Sequence, residues 1–432
     1  MEKLFRLKEN GTTARREIAA GVTTFLTMAY ILAVNPGMLG SIGNGMTPPA
    51  VFTATVLASV LAMIVMAFAA NLPVALAPGM GLNAFFTYTV VFGMGYSWQI
   101  ALAAVFCEGV FFIILTFFNV REAIVKAIPE NLKYAVAVGI GLFITMIGLG
   151  NAGIMVKDNA TFVALGSITS GAPLVAVIGI VIMTILYVRK VPGAILLGIV
   201  IATLIGIPLG VTVMPENFSP FSFPAAPLLF QFDFSVILSL KFFTVFFTFL
   251  FVDVFDTVGT LVGVTTQAGL AGKGGEIPRV KQALFADAVG TTAGAALGTS
   301  AVTSYIESAA GVAAGGRTGL TTLATATLFL LSLFLSPLFL LVPSAATAPA
   351  LIMVGFLMMS SVVRINFKDP TEGIPAFFTI FMMPFAYSVA QGIMFGVMMF
   401  VILKLASRKL RDISPVTFVL FLIFIVYILL KR

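Results

Sequence analysis

Residues 249–261 read FLFVDVFDTVGTL, with Asp253 and Asp256 three apart in an otherwise apolar run. On a helix this spacing puts both carboxylates on one face, and Thr257 and Thr260 extend the stripe. Two other acidic or amide residues stand in comparable surroundings. Glu307 lies in GTSAVTSYIESAAGVAAGGRTG (298–319), and Asn83 lies in LPVALAPGMGLNAFFTYTVVFGMG (72–95). Carboxylates accept hydrogen bonds from N–H groups, and a carboxamide both donates and accepts. Grouped around one cavity, with backbone N–H groups free at a helix start, they suit a neutral, nitrogen-rich heterocycle. A carboxyl group in a poorly solvated cavity also holds its proton more readily, so Asp253 and Glu307 are candidate proton carriers.

Each candidate has a plainer reading. Asp256 can brace a neighbouring broken helix rather than touch a ligand. Asp287 suits a hydrogen bond between helices, and Glu108, beside Cys107, suits a structural role. Phe85, Phe86 and Tyr305 can stack on a planar ring, but in a chain with 42 Phe they equally fit the core. Arg317 is placed to bond carbonyl groups at the end of its helix.

The setting of these residues is a membrane. The chain has 432 residues, of which 60% are hydrophobic and 9% charged, and its mean hydropathy is +1.12. Soluble domains carry about 25% charged residues, so an ordinary cytosolic enzyme, a disordered chain and a secreted disulfide scaffold are excluded. There is no histidine, which removes His relays, His metal sites and Ser-His catalysis. The single cysteine, Cys107, permits neither an internal disulfide nor a thiolate metal cage. No cofactor or metal is expected; the coupling ion would be a proton.

Apolar runs predict an all-α polytopic fold with spans near 16–39, 49–70, 75–93, 98–120, 132–150, 171–188, 192–210, 234–264, 281–298, 299–317, 319–341, 346–363, 372–386 and 387–405. Residues 415–430 form a last, short apolar stretch. The first span is too long, and too well preceded by charged residues, for a cleaved signal peptide. Nineteen of the 24 Lys and Arg then fall on one side. They flank the first span and fill alternate loops, including Arg121, Lys126, Arg189, Lys273, Arg364 and Lys404. With both ends inside, this is the positive-inside pattern. It accounts for the +7 net charge without a nucleic-acid partner.

Two of the fourteen segments are interrupted. Pro73, Pro78, Gly79 and Gly81 break the third, which should begin extended and turn helical near Gly79. The tenth begins with Thr299, Val302 and Thr303, also extended, and should turn helical near Ser304, placing Glu307 in its first turn. Asn83 and Glu307 are 224 residues apart, close to half the chain. Interrupted segments at matching positions of two halves point to a carrier's binding site, and non-helical backbone at membrane depth must line a cavity or be buried. Seven segments per half, an odd number, make the two repeats inverted. Gly290, Gly294 and Gly298, like Gly311, Gly315 and Gly319, are spaced by four, which lets helix backbones approach.

At APGMGLNAFF, LFVDVFDTVGTLVGV and GTSAVTSYIESAAGVAAGGRTGL the sequence resembles AzgA-type purine permeases, the guanine/hypoxanthine permeases of the nucleobase:cation symporter-2 (nucleobase-ascorbate transporter) superfamily. The resemblance runs from REIAAGVTTFLTMAYILAVNP to DPTEGIPAFFTIFMMPFAYS. It implies the uracil-permease-type fold, a 7+7 inverted repeat split into a core domain (1–120 and 234–341) and a gate domain (121–233 and 342–432). It further implies proton symport of hypoxanthine, guanine or adenine across the cell membrane, and a homodimer through the gate domain. By motif, Asn83 and Gly81 match substrate-site positions, Asp253 and Glu307 match the principal purine-binding acids, and Asp256 matches a position important for transport. Thr257 and Phe85 complete the candidate substrate site. An anion exchanger on the same fold would expect basic or neutral groups where this chain has acids. A channel would need polar rings along a pore, and a membrane enzyme would need a nucleophile, metal set or cofactor motif that does not accompany the acids.

Overall fold

The computed structural model describes residues 2–117, 129–270 and 278–430. Arg121, Lys126, Lys273, Lys431 and Arg432, the boundary expected at 120/121 and the end of the span expected at 98–120 lie outside the described residues.

The first expected span is two helices, α1 (Ala14–Met28) and α2 (Ile31–Gly40), joined through Ala29 and Tyr30. The Thr13 hydroxyl starts α1 by accepting from the Arg16 N–H at 3.4 Å. Helix α3 (Pro48–Val65) starts on a Pro pair, whose missing N–H groups cost nothing there, and widens into a π turn at Met66–Ala70. The third segment is β1 (Leu76–Pro78) followed by α4 (Met80–Ala84), which continues as a π-helix over Phe85–Gly93. Then come α5 (Trp98–Phe117), α6 (Glu130–Asn151), the hairpin β2 (Met155–Asp158) and β3 (Phe162–Leu165), α7 (Gly171–Val188) and α8 (Ala194–Gly206). The second half comprises α9 (Leu240–Gln267), α10 (Val280–Leu297), β4 (Val302–Ser304), α11 (Ser308–Ala313), α12 (Gly319–Ser332) and α13 (Ser336–Leu340). It ends with α14 (Ser344–Met359), α15 (Pro370–Phe385), α16 (Val389–Ala406) and α17 (Pro415–Leu430).

Among the described residues, nine helices are long and apolar enough to cross a membrane. The chain is therefore a helical, multi-pass membrane protein. The fourteen expected segments include shorter and broken ones that do not meet that length on their own. Two groups of helices pack mainly among themselves: α6, α7, α8 and α14–α16 in one, α1–α5 and α9–α13 in the other.

Two expectations need correction. The tenth segment turns helical at Ser308, not near Ser304. Its backbone is first committed to β1: Leu76 pairs with Ser304, and the Tyr305 N–H donates to the Ala75 carbonyl at 2.9 Å. Glu307 thus occupies the position just before the helix rather than its first turn. The eighth span was expected from 234, but α9 starts at Leu240, because the Ser239 hydroxyl accepts from the Phe242 N–H at 3.1 Å and caps it. Between α6 and α7 the chain pairs as the β2–β3 hairpin, Met155 with Leu165 and Asp158 with Phe162.

The glycine spacings do bring backbones together. A Cβ on Gly290 would lie 2.6 Å from the Ala62 Cβ, and one on Gly294 would lie 2.9 Å from the Ser300 carbonyl oxygen. A Cβ on Gly319 would run into the Ala67 backbone, where the Gly319 N–H already donates to Asn71 Oδ1 at 2.8 Å. Gly319→Ala is accordingly expected to destabilise the fold by roughly 1–3 kcal/mol, the usual cost of overpacking. Melting of the detergent-solubilised protein checks this against Gly150→Ala, since a Cβ at Gly150 meets nothing within 4 Å. Equal melting of the two variants would refute the packing argument.

Candidate functional site

The two interrupted segments meet as an antiparallel pair buried in the protein. Leu76 pairs with Ser304, Ala77 with Thr303 and Pro78 with Val302. The Gly79 N–H donates to the Ala301 carbonyl at 3.0 Å, which finishes the pairing as α4 begins. Two strands of three residues cannot stand alone. They persist because every neighbouring face is protein, the one setting in which non-helical backbone at this depth is tolerated. The Thr291 hydroxyl donates to the Val302 carbonyl at 3.0 Å and accepts from the Val302 N–H at 3.1 Å, so α10 serves the free edge of β4.

Helix α9 lies against β4, α4 and α11 and brings its acids to this crossing. Asp253 is fully buried. Asp256 is partly exposed, and its Oδ2 accepts from the Thr303 hydroxyl of β4 at 3.3 Å, the bracing contact its position allowed. Thr257 faces α10 instead: its hydroxyl donates to Asp287 Oδ1 at 2.6 Å. That bond is the one between helices expected for Asp287. Glu307 is partly exposed, beside Ile306 at 48% exposure, and its Oε1 accepts from the Tyr30 hydroxyl at 2.7 Å.

Asn83 is completely buried in α4. Its amide N–H reaches the Pro78 carbonyl at 3.4 Å, while its Oδ1 accepts no hydrogen bond from any described residue. The hydroxyls of Thr87, one turn on, and of Ser304, on β4, are likewise buried without a partner among the described residues. Buried polar atoms are nearly always satisfied, so these three make the crossing a candidate site for polar groups. Phe85 is buried and meets Phe249 edge to face with ring centroids 4.8 Å apart. Phe249 precedes Asp253 by one helical turn on α9. Tyr305 spends its hydroxyl on the Pro78 carbonyl at 2.6 Å. A Cβ on Gly81 would lie 2.7 Å from Ile140 Cγ2, so Gly81 is where α4 abuts α6 of the other helix group.

Residues 15–395 match the Permease family (Xan_ur_permease). The chain belongs to this permease family. Among its relatives, the adenine permease AdeP of Escherichia coli (strain K12) is 45% identical, with 97% of this chain and 94% of that protein covered. The guanine/hypoxanthine permease PbuO of Bacillus subtilis (strain 168) is 44% identical, with 96% and 97% covered. In three dimensions the permease is similar to the transmembrane domain of a cyanobacterium bicarbonate transporter, BicA. The TM-score is 0.65 at 15% identity, covering 87% of this chain and 97% of that one. The permease is therefore a transporter relative and not an enzyme.

Several residues that organise the surroundings of the candidate site carry no distinct signal in the sequence. Glu17, fully buried in α1, accepts from the Arg317 N–H at 2.9 Å, the Thr318 N–H at 3.1 Å, and the hydroxyls of Thr318 and Thr321 at 2.8 and 2.7 Å. Its carboxylate thus sits at the start of α12, where free N–H groups favour negative charge. In the sequence it reads as one more charged residue at the start of the first span. Arg317 does bond carbonyls, those of Val312 and Gly316, both at 2.7 Å. Glu108 is buried within α5. A second seam joins the helix groups beyond α4. Asn151 donates to the Tyr88 hydroxyl at 2.8 Å, and the Tyr387 ring meets those of Tyr88 and Phe143 edge to face.

Proposed function

We propose that this permease is a secondary carrier that imports purine nucleobases of the hypoxanthine, guanine and adenine class by proton symport. The observation that carries the reading is the acceptor set at the strand crossing: Asp253 from α9, Glu307 before α11, and the carbonyl oxygen of Asn83, which has no partner among the described residues. A purine base presents ring and exocyclic N–H donors to such acceptors. The names of the adenine and guanine/hypoxanthine permeases support the same substrate class. With no histidine in the chain, the carboxylates are the groups able to carry a proton with the substrate.

In this reading fourteen segments form two inverted sevens, with residues 1–120 and 234–341 as core and 121–233 and 342–432 as gate. Transport is the movement of core against gate, supported by the narrow seam where Gly81 meets Ile140. Both termini then lie on the cytoplasmic side of the cell membrane, and two copies pair through the gate.

The test is uptake of labelled hypoxanthine into proteoliposomes, with guanine, adenine, xanthine and uracil as competitors. Guanine or adenine should compete and uracil should not; uptake that no purine affects, or no uptake at all, would sink the reading. Accumulation should stop when the pH gradient is collapsed, and persistence in a sodium-dependent form would replace the proton with sodium. A second reading, anion exchange, is favoured only by the fold shared with the bicarbonate transporter. The site argues against it, because like charges repel by about 1 kcal/mol at 4 Å even in water and by more where solvation is poor.

A further inference from the structure

We infer that Tyr30 is a positioning and specificity residue, whose hydroxyl holds one oxygen of Glu307 and leaves the other to accept a single substrate N–H. The inference rests on the purine-carrier reading above.

Tyr30 sits at the break between α1 and α2 and is 1% exposed. Its hydroxyl donates to Glu307 Oε1 at 2.7 Å. Among the described residues no other side chain donates to this carboxylate; the Glu307 backbone N–H also contacts it. The contact is set by the packing beneath it. Gly311 of α11 lies so close to α1 that a Cβ there would fall 2.8 Å from the Ala20 carbonyl oxygen. Further along α1, the Thr27 hydroxyl lies 3.4 Å from the Glu307 carbonyl oxygen. The end of α1 thus fixes both the backbone and the side chain of Glu307.

Two consequences follow for a ligand. A glutamate side chain has several rotatable bonds, and ordering it opposes binding. With Oε1 held, that ordering precedes the substrate. The Tyr30 O–H is also spent, so with Glu307 ionised the pair offers no donor to a ligand. A base that needs one acceptor, such as hypoxanthine with its N1–H, is served by Oε2. Guanine carries adjacent N1–H and N2–H donors, which would pair with both carboxylate oxygens if Oε1 were released. Tyr30 therefore restrains the two-point grip that would favour guanine.

The experiment measures initial uptake rates of hypoxanthine and guanine in proteoliposomes for the parent and Tyr30→Phe, with melting of each protein. The expected result is a KM for hypoxanthine raised about tenfold, the scale of a charge-assisted hydrogen bond, with the maximal rate within about twofold. The KM for guanine should rise by a clearly smaller factor, or fall. A structural role would lower the maximal rate for both bases alike. Unchanged KM values, or equal changes for the two bases, would overturn the inference. Glu307→Asp approaches the same bond from the other side, and adding Tyr30→Phe to it should cost nothing further. Full additivity would also overturn the inference. Failure of the parent to carry either purine would instead refute the carrier reading, so the two failures are distinguishable.

Discussion

Glu307→Gln and Asp253→Asn should each lower purine uptake by about a hundredfold while leaving the folded protein in the membrane near its parent amount. Both substitutions keep the shape of the side chain and remove the charge. A hydrogen bond to a charged group contributes about 1.5–3 kcal/mol, and each 1.4 kcal/mol is about tenfold in affinity. The surrounding protein amplifies the loss, because Asp253 is fully buried and water cannot replace what the carboxylate supplied. The amide also cannot take up and release a proton, so accumulation against a gradient should disappear with affinity. The folded state should tolerate Gln at 307, since the amide carbonyl still accepts from the Tyr30 hydroxyl at its 2.7 Å contact. Asp158→Asn is the matched control. Asp158 lies on the exposed hairpin, where the Thr161 and Ala160 N–H groups hold its carboxyl below the usual carboxylate range. That variant should transport at the parent rate. Normal uptake by Glu307→Gln and Asp253→Asn at normal expression would remove both acids from the site.

The acids were legible because they are rare: in a chain with 9% charged residues, a carboxylate inside an apolar run stands out. The interruption at Gly79 was legible for a similar local reason, since Pro78 and Gly79 cannot continue a helix. What local sequence does not carry is the partner. The pairing of Ala77 with Thr303 joins positions 226 residues apart, and it decides that the tenth segment turns helical at Ser308. The same limit hid Tyr30, one aromatic residue in an apolar run until Glu307 is placed against it. Thr257 illustrates the reverse case. Its spacing from Asp253 suggested a shared face, yet its hydroxyl belongs to Asp287 on α10. Helical spacing fixes direction only to within a turn, and the neighbouring helix decides what each side chain meets.

Glu17→Ala is expected to have the largest effect on stability of any single change considered. The carboxylate accepts four hydrogen bonds, from two backbone N–H groups and two hydroxyls, and it is wholly buried. Truncation leaves those donors without an acceptor, and each buried unsatisfied group costs about 1–3 kcal/mol. Thr321 retains a contact of 3.3 Å to the Glu17 carbonyl oxygen, so its share is partly kept. A net loss of roughly 3–5 kcal/mol follows, a large fraction of the 5–15 kcal/mol typical of folded domains. Glu17→Gln keeps one accepting oxygen and should fall between parent and Ala. Melting of the solubilised protein reads the effect directly, and an Ala variant that melts with the parent would refute the clamp. The consequence for transport differs in kind from that of Glu307. Glu17 ties α1 to the start of α12, and Arg317 ties the same junction to the end of α11 through the Val312 carbonyl. Loosening it reduces how much protein holds the crossing together, so the maximal rate should fall with the folded fraction. The KM of the molecules that remain folded should stay near the parent value, because the Glu17 carboxylate bonds Arg317, Thr318 and Thr321 rather than the acceptor set.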